Sequence, residues 1–244
     1  MSVVLVTGGS RGIGAAIARA CARDGYDVAI NYARDDAAAR RVAADIEAHG
    51  RRVLAVPADV ADEAQVKAMF ELVDAFGPLA GLVNNAGIVA PAARLEAQSM
   101  QRWQRLFAVN VLGTLVCCRE ATRRMSTRRG GAGGAIVNIS TRAAQLGSAG
   151  VYVDYAASKG AVDTLTLGLA HELIPEGIRV NGVRPGVIDT EIHADSGLDP
   201  QGQAARIPIG RLGRADEVAE AVRWLLSPAA SYCVGTIVDV AGGR

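Results

Sequence analysis

The sequence has few of the residues from which disulfide scaffolds and metal centres are built. Its four cysteines are scattered, and the one adjacent pair, Cys117 and Cys118, lacks the CxxC spacing of redox and zinc sites. The three histidines are far apart in the chain. These shortages exclude a disulfide scaffold and argue against a His/Cys metal centre.

Aromatic residues, net charge and long apolar runs are equally scarce. Aromatics make up 4% of the 244 residues, and 26 basic against 25 acidic side chains leave a net charge of +1. So small a charge argues against a dedicated nucleic-acid surface. No apolar run approaches the ~20 residues that span a bilayer, and the apolar start of the chain lacks the basic segment of a secretory signal. We therefore expect a soluble, cytoplasmic protein.

What the sequence does have is a regular alternation of short apolar segments with helical patterns. Residues 62–76, for example, place Val66, Phe70 and Val73 on one face of a helix. Continuously apolar strands separated by helices are typical of a parallel sheet covered on both faces. We therefore predict an α/β Rossmann fold in a single domain, residues 1–244, with a doubly wound, seven-stranded parallel sheet. The predicted strands are residues 3–6, 27–31, 53–58, 81–84, 135–139, 178–183 and 236–240, and the longest predicted helices are residues 99–125 and 152–174.

A glycine-rich loop follows the first predicted strand. Residues 7–14 read Thr-Gly-Gly-Ser-Arg-Gly-Ile-Gly and open the first predicted helix. Glycines permit a tight turn and the close approach of a phosphate group, while a helix N-terminus supplies N–H donors and a positive dipole. The spacing departs from GxGxxG, because position 17 is isoleucine. The loop indicates a dinucleotide site, with a plain strand–helix connection as the alternative.

A tyrosine and a lysine are spaced for proton transfer. Tyr155 and Lys159 are four residues apart on a predicted helix and therefore lie on one face. A tyrosine with a pKa of about 10 is a poor base near neutrality, and an adjacent ammonium stabilises its phenolate. Tyr152 has no such partner, since Ala156 follows four residues later. Taken alone, the pair could equally belong to an ordinary amphipathic helix.

Several motifs occur together, in one order and at one spacing. They are TGxxxGxG at residues 7–14, NNAG at residues 84–87, Ser140 after the fifth strand, and Tyr155-xxx-Lys159. In this combination the whole chain resembles the classical short-chain dehydrogenases/reductases, and most closely bacterial 3-oxoacyl-[acyl-carrier-protein] reductases and glucose 1-dehydrogenase-like members. The resemblance implies an oxidoreductase that transfers hydride between a nicotinamide cofactor and a carbonyl or secondary alcohol.

The resemblance also implies the roles of individual residues. Tyr155 would be the general acid/base, Ser140 would position the substrate oxygen, and Lys159 would also bind the nicotinamide ribose. Asn110 would hold a water that links the lysine to solvent. The residues expected to bind the cofactor are Gly8, Ser10, Arg11, Gly12, Ile13, Gly14, Tyr32, Arg34, Asp59, Val60, Asn85, Ala86, Gly87, Tyr155, Lys159, Pro185, Gly186, Ile188 and Thr190.

The residues after the second strand bear on the choice between NADP(H) and NAD(H). In NAD-preferring relatives an acidic side chain ends this strand and binds the ribose, whereas Tyr32 stands there in this chain. Arg11 and Arg34 could pair with a 2′-phosphate, because guanidinium matches phosphate geometry. Asp35 and Asp36 could instead repel the phosphate, bind a ribose, or cap the next helix. We favour NADP(H), with NAD(H) as the alternative.

The substrate and partners are less defined by the sequence. A 3-oxoacyl-type carbonyl reductase is our first hypothesis, and a sugar or alcohol dehydrogenase is the alternative. The resemblance implies a homotetramer and a mobile substrate lid over about residues 187–212, where His193 is best interpreted as a loop residue outside the site. Arginines cluster near the end of one long helix, where they could dock an acyl carrier protein or simply be solvated; we prefer the latter. The cluster comprises Arg119, Arg123, Arg124, Arg128 and Arg129.

A non-enzymatic function is the third hypothesis. Some members of the superfamily bind a dinucleotide without turning over a substrate and act as sensors. Such members typically lack the tyrosine or the lysine, and this chain has both Tyr155 and Lys159. The enzyme is therefore the favoured hypothesis.

Overall fold

The computed structural model describes residues 2–190, 202 and 204–244. Its centre is one sheet of seven strands in the order β3-β2-β1-β4-β5-β6-β7, and every neighbouring pair is parallel. The order steps outward from β1 in one direction and from β4 in the other, which confirms the predicted doubly wound fold. The strands are β1 (Val3–Val6), β2 (Asp27–Tyr32), β3 (Val53–Pro57), β4 (Leu79–Asn84), β5 (Gly134–Ile139), β6 (Ile178–Pro185) and β7 (Ile237–Val240).

Helices connect the strands and cover both faces of the sheet. The side chains of β1 show the division: Val4 and Val6 belong to the core on one face, and Leu5 belongs to the core on the other. This alternation is the two-residue period of a strand. The helices are α1 (Gly12–Arg23), α2 (Asp36–Ala48), α3 (Glu63–Phe76), α4 (Met100–Phe107), α5 (Thr114–Met125), α6 (Ala143–Leu146), α7 (Val153–Leu173) and α8 (Ala215–Leu226).

The two cores are built mainly from small and branched aliphatic side chains. On one face, Ile17 of α1, Ile46 of α2 and Val222 of α8 pack together, all fully buried. On the other, Phe70 of α3 and Leu173 of α7 lie in the same core. Within the part of the chain that the structure describes, no helix combines the length and apolarity needed to cross a membrane.

The helical region 99–125 differs from the single helix that its sequence predicts. A π-helical segment, Ala108–Gly113, separates α4 from α5. A π segment inserts one surplus residue into a helix and is frequent at functional sites. Here it includes the buried Asn110, one of the predicted catalytic residues.

The strand ends differ from prediction by one or two residues. The third strand ends at Pro57, one residue earlier than predicted, and Asp59 and Val60 follow it. Asp59 instead forms a short turn, in which its carboxylate accepts a hydrogen bond from the backbone of Ala61 at 3.0 Å. Part of the predicted lid, including His193, lies outside the described residues.

Candidate active site

The glycine loop lies at the carboxyl end of β1, where the sheet order reverses. Gly8 and Gly12 have positive φ angles of 61° and 52°, which L side chains rarely adopt. A methyl group at Gly14 would lie 2.2 Å from the carbonyl oxygen of Gly8. The loop therefore needs glycine for its own packing as well as for access by a ligand.

A hydrogen-bond clamp joins this loop to the end of β4. The side-chain amide of Asn85 donates to the carbonyls of Thr7 at 2.9 Å and Gly8 at 3.0 Å. In return, the hydroxyl oxygen of Thr7 accepts from the backbone N–H groups of Asn85 and Ala86, both at 3.0 Å. The family resemblance predicts Asn85 as a cofactor residue, whereas it gives no role to Thr7, although Thr7 opens the motif.

The N-terminus of α1 is arranged to receive an anion. Arg11 precedes the helix in an extended conformation and provides no side-chain acceptor for the first-turn N–H groups. The helix dipole favours negative charge at this end. Ser10 is buried in the loop, and Ile13 faces the main cavity.

The two aspartates that follow β2 form different hydrogen bonds. Asp35 caps α2, where its carboxylate accepts from the backbone of Ala38 at 2.9 Å. Asp36 does not cap the helix; it accepts the hydroxyl of Tyr32 at 2.8 Å and pairs with Arg40 at 2.8 Å. Both carboxylates are therefore engaged within the protein.

Arg34 has no such engagement. It lies exposed beyond β2, and its side chain forms no hydrogen bond or ion pair with any residue that the structure describes. On the other side of this region, Asp59 pairs with Arg105 at 2.8 Å, and Val60 is buried against Gly113.

A cavity of about 850 Å³ opens at the carboxyl ends of β4, β5 and β6. Three of the four predicted catalytic residues, Ser140, Tyr155 and Lys159, line it, and Asn110 lies immediately behind. Of the predicted cofactor residues, those that line the cavity are Ile13, Asn85, Gly87, Tyr155, Lys159, Pro185, Gly186, Ile188 and Thr190.

Lys159 is almost entirely buried, with 4% of its surface exposed. Its ammonium donates to the carbonyl oxygen of Ile139 at 2.8 Å. Burial lowers the pKa of Lys159 to about 8, and the nearby carboxylate of Asp163 acts in the opposite direction. The lysine is therefore charged at neutral pH but close to its titration range.

Tyr155 lies one helical turn before the lysine. Burial raises the pKa of Tyr155 to about 12, while a hydrogen bond with Thr141 opposes this shift. The hydroxyl is thus protonated near neutral pH. The ring of Tyr152 meets that of Tyr155 edge-on, with 6.4 Å between the centroids, and forms part of the cavity wall.

Asn110 and Ser140 form hydrogen bonds around the helical turn from Tyr155 to Lys159. The side chain of Asn110 accepts from the backbone N–H of Ile88 at 2.9 Å and donates to its carbonyl at 3.0 Å. It also donates to Ser158 at 3.1 Å, whose hydroxyl donates to the carbonyl of Tyr155 at 2.7 Å. The Ser140 hydroxyl donates to the carbonyl of Lys159 at 3.3 Å. The role of Ser158 has no signature in the sequence.

Gly87 brings the end of β4 close to these groups. A methyl group at Gly87 would lie 3.4 Å from both the Asn110 Oδ1 and the Lys159 Nζ atoms. Across the cavity, the side chain of Thr190 lies about the same distance from the position of a Gly12 methyl group. The cofactor residues predicted from distant parts of the chain thus meet around one cavity.

The surface of the cavity is more apolar than polar. Val89, Ala143, Leu146 and Val151 contribute apolar side chains to it. The polar side chains that line it beyond the tyrosine and lysine include Arg142, Ser148, Arg206 and Arg244. A few converging polar groups in an otherwise apolar cleft are typical of a small-molecule site.

A glycine loop at the switch point of a doubly wound sheet, next to a tyrosine–lysine pair, defines a dinucleotide-dependent oxidoreductase. The family model described as "Enoyl-(Acyl carrier protein) reductase" matches residues 8–244. The chain is 51% identical, over the full length of both proteins, to the "Uncharacterized oxidoreductase YgfF" of Escherichia coli. It therefore belongs to the short-chain dehydrogenase/reductase family, and it is an NAD(P)-dependent oxidoreductase that acts on CH–OH or C=O groups.

Other relatives differ in the substrates that their names state. The chain is 40% identical to "3beta-hydroxysteroid dehydrogenase 1" of Eggerthella lenta, covering 98% of this chain and 92% of the relative. It is 39% identical to a Staphylococcus aureus "3-oxoacyl-[acyl-carrier-protein] reductase FabG", covering 98% and 96%. Among solved structures, a Burkholderia cenocepacia short-chain dehydrogenase in complex with NADP superposes with a TM-score of 0.91 at 39% identity, covering 99% and 97%.

Proposed function

We propose that the protein is an NADP(H)-dependent carbonyl reductase in which Asn110, Ser140, Tyr155 and Lys159 are the catalytic residues. One observation supports this most directly: a protonated tyrosine and a charged lysine, one helical turn apart, line the same cavity as Ser140. A proton donor and a stabilising cation at one point are what carbonyl reduction requires.

Each residue has a defined task in this proposal. The Tyr155 hydroxyl donates its proton to the oxygen of the carbonyl group as that oxygen becomes an alkoxide. The Lys159 ammonium stabilises the resulting phenolate, and Ser140 turns its hydroxyl from the carbonyl of Lys159 toward the substrate oxygen. Asn110 fixes the turn through Ser158 and, as the family resemblance implies, would hold a water that links Lys159 to solvent.

The residues around the loop fit a dinucleotide. The N–H groups at the start of α1 would hold the pyrophosphate, in a tight loop whose shape depends on Gly8, Gly12 and Gly14. The cavity residues Pro185, Gly186, Ile188 and Thr190 would contact the nicotinamide end, and Asp59 and Val60 the adenine. When bound, the nicotinamide would supply the hydride.

NADP(H) is the proposed form of the cofactor because of how the charges near β2 are engaged. Asp35 caps the helix and Asp36 bonds Tyr32 and Arg40, so both carboxylates already serve the protein's own structure rather than standing free for a ribose. Arg34 is exposed and unpaired among the described residues, as a 2′-phosphate ligand would need. The Burkholderia relative, whose structure contains NADP, supports the same choice.

Replacing Arg34 with alanine is expected to weaken NADPH binding about tenfold or more, because a charge-assisted contact to phosphate is lost. NADH has no 2′-phosphate, so its affinity should be nearly unchanged. Separate fluorescence titrations of the wild type and the variant with NADPH and NADH give the four dissociation constants. Arg41→Ala, on the exposed side of α2, is the matched control. An unchanged ratio of NADPH to NADH affinity would remove Arg34 from the cofactor site.

For the substrate, we propose a 3-oxoacyl-type or similarly apolar ketone. The surface of the cavity is more apolar than polar, which favours an apolar ketone over a sugar. The FabG and steroid-dehydrogenase relatives, whose names state an acyl and a steroid substrate, are consistent with an apolar pocket.

A panel assay tests this function. Consumption of NADPH should be seen with a 3-oxoacyl thioester and with cyclic ketones, whereas NADP⁺ reduction with glucose should be much slower. The same panel with NADH controls for cofactor choice. Faster turnover of glucose than of every ketone would favour the sugar dehydrogenase, and NADPH binding without turnover of any compound would favour the sensor hypothesis.

The arginine cluster does not support docking of an acidic carrier protein. Four of its five side chains form ion pairs with Glu63, Asp74, Glu120 or Glu176, so most of the positive charge is balanced locally. We therefore propose a free small-molecule substrate.

We also propose a homotetramer and a substrate lid over about residues 187–212. The homotetramer is consistent with several exposed apolar side chains on α4, the π segment, α5 and α7. The exposed apolar side chains are Phe107, Leu112, Leu115 and Leu167.

A further inference from the structure

A buried ion pair braces the helix that contains Tyr155. The guanidinium of Arg102 on α4 contacts the carboxylate of Asp154 through two bonds, Nε to Oδ2 at 2.6 Å and Nη2 to Oδ1 at 3.1 Å. The two side chains are 13% and 2% exposed. Asp154 lies in the first turn of α7 and immediately precedes Tyr155. Neither residue belongs to the motifs that define the family.

The same arginine also reaches the β4–α4 loop, residues 85–99. Its Nη1 atom donates to the carbonyl of Pro91 at 2.5 Å. A second link lies beside it, where the backbone N–H of Ala93 donates to the carbonyl of Val151 at 3.0 Å. The loop contributes Gly87 and Val89 to the cavity. One side chain therefore ties together a cavity wall, α4 and the start of α7.

Stability alone is a weak reason for such a pair. Removing two charges from water is costly, and apolar replacements of buried ion pairs are often neutral or stabilising. What the pair provides is geometry, because a bidentate guanidinium–carboxylate contact fixes both the distance between the two side chains and their relative orientation. The turn that it fixes is the one on which the Tyr155 hydroxyl must meet the substrate oxygen.

We propose that Arg102 and Asp154 are positioning residues, which set the location of the Tyr155 phenol against the β4–α4 loop. This inference rests on the proposed function, in which Tyr155 donates the proton. A shift of about 1 Å in a catalytic group costs about a hundredfold in rate. The pair should therefore affect kcat much more than cofactor binding, because the proposed phosphate contacts lie at the glycine loop, away from this turn.

The first variant is the double replacement Arg102→Met with Asp154→Leu. It removes both charges together, so that neither is left buried without a partner, and it retains much of the side-chain volume. We expect a thermal midpoint close to that of the wild type, an unchanged KM for NADPH and a kcat for ketone reduction about a hundredfold lower. The substrate is the ketone from the panel that the wild type reduces fastest.

The second variant, Arg102→Lys, retains the charge but not the bidentate contact. We expect its kcat to fall about tenfold, again without a change in the KM for NADPH. In both variants the kinetic isotope effect with 4-deuterated NADPH should rise, because a mispositioned proton donor makes the chemical step more rate-limiting. A purely structural role would not change the isotope effect in a folded variant.

Arg223→Lys is the matched control. Arg223 also contacts a carboxylate through Nε, 2.7 Å from both oxygens of Asp24, but it is exposed on α8 and does not line the cavity. Its kcat should equal that of the wild type. Tyr155→Phe, assayed in parallel, distinguishes a failure of the proposed function from a failure of the positioning proposal. Full activity of Tyr155→Phe would refute the proposed function itself.

The outcomes are distinct. If Tyr155→Phe is inactive while both Arg102 variants remain within about twofold of wild-type kcat, the ion pair is structural and the proposal is wrong. If the double variant does not fold, Arg102→Lys decides the matter alone: a lowered kcat with a raised isotope effect supports positioning, and an unchanged kcat overturns it.

Discussion

Replacing Tyr155 with phenylalanine is expected to lower kcat for ketone reduction about 10³-fold, because the variant lacks the proton donor and retains the ring. The lost hydroxyl makes its hydrogen bond with Thr141, so the variant should fold. NADPH affinity should change little, since the glycine loop is untouched. Steady-state kinetics together with a NADPH titration measure both quantities.

Tyr232→Phe is the control for this variant. Tyr232 is fully exposed and does not line the cavity, so its loss of a hydroxyl should leave kcat unchanged. Wild-type kcat in Tyr155→Phe would show that another group donates the proton. Because burial keeps the Tyr155 hydroxyl protonated up to high pH, its donor role does not require an acidic solution.

Replacing Gly14 with alanine is expected to abolish measurable NADPH binding and to lower the free energy of unfolding by about 3 kcal/mol. The new methyl group would lie 2.2 Å from the Gly8 carbonyl oxygen and 2.5 Å from the Asn85 amide nitrogen, so the loop and its clamp must separate. Urea denaturation and a fluorescence titration test the two effects.

The control for Gly14→Ala lies at the other end of the same helix. Gly25 also has a positive φ angle, 90°, but a methyl group there would meet no neighbouring atom. Asparagine tolerates this conformation, so Gly25→Asn should keep NADPH affinity and cost less than about 1 kcal/mol. Wild-type NADPH binding by Gly14→Ala would exclude the loop as the phosphate cradle.

Much of the fold could be predicted because its determinants are local. Short apolar strands separated by helical patterns require a covered parallel sheet, and the seven predicted strands are confirmed with small shifts at their ends. Capping of the next helix, one of the alternatives open for both aspartates, is found for Asp35 but not for Asp36. Each of these inferences needs only neighbouring residues and the periodicity of one element.

The parts that escaped prediction depend on residues far apart in the chain. Arg102 and Asp154 are 52 positions apart, and no pattern in either segment indicates that they meet. The bond of Asp36 to Tyr32 is nearer in sequence, yet it depends on how β2 turns into α2. The low pKa of Lys159 arises from burial, which follows only once the tertiary structure is formed.

The π segment between α4 and α5 sets the rotational phase between two helices. One residue corresponds to about 100° of rotation in an α-helix. The surplus residue of Ala108–Gly113 therefore allows α5 to direct Cys117 and Ala121 into the core while Asn110 faces the site. Losing that residue would turn one of these faces toward solvent. This helical region is thus less tolerant of a change in length than a surface loop, although its sequence has the pattern of an ordinary helix.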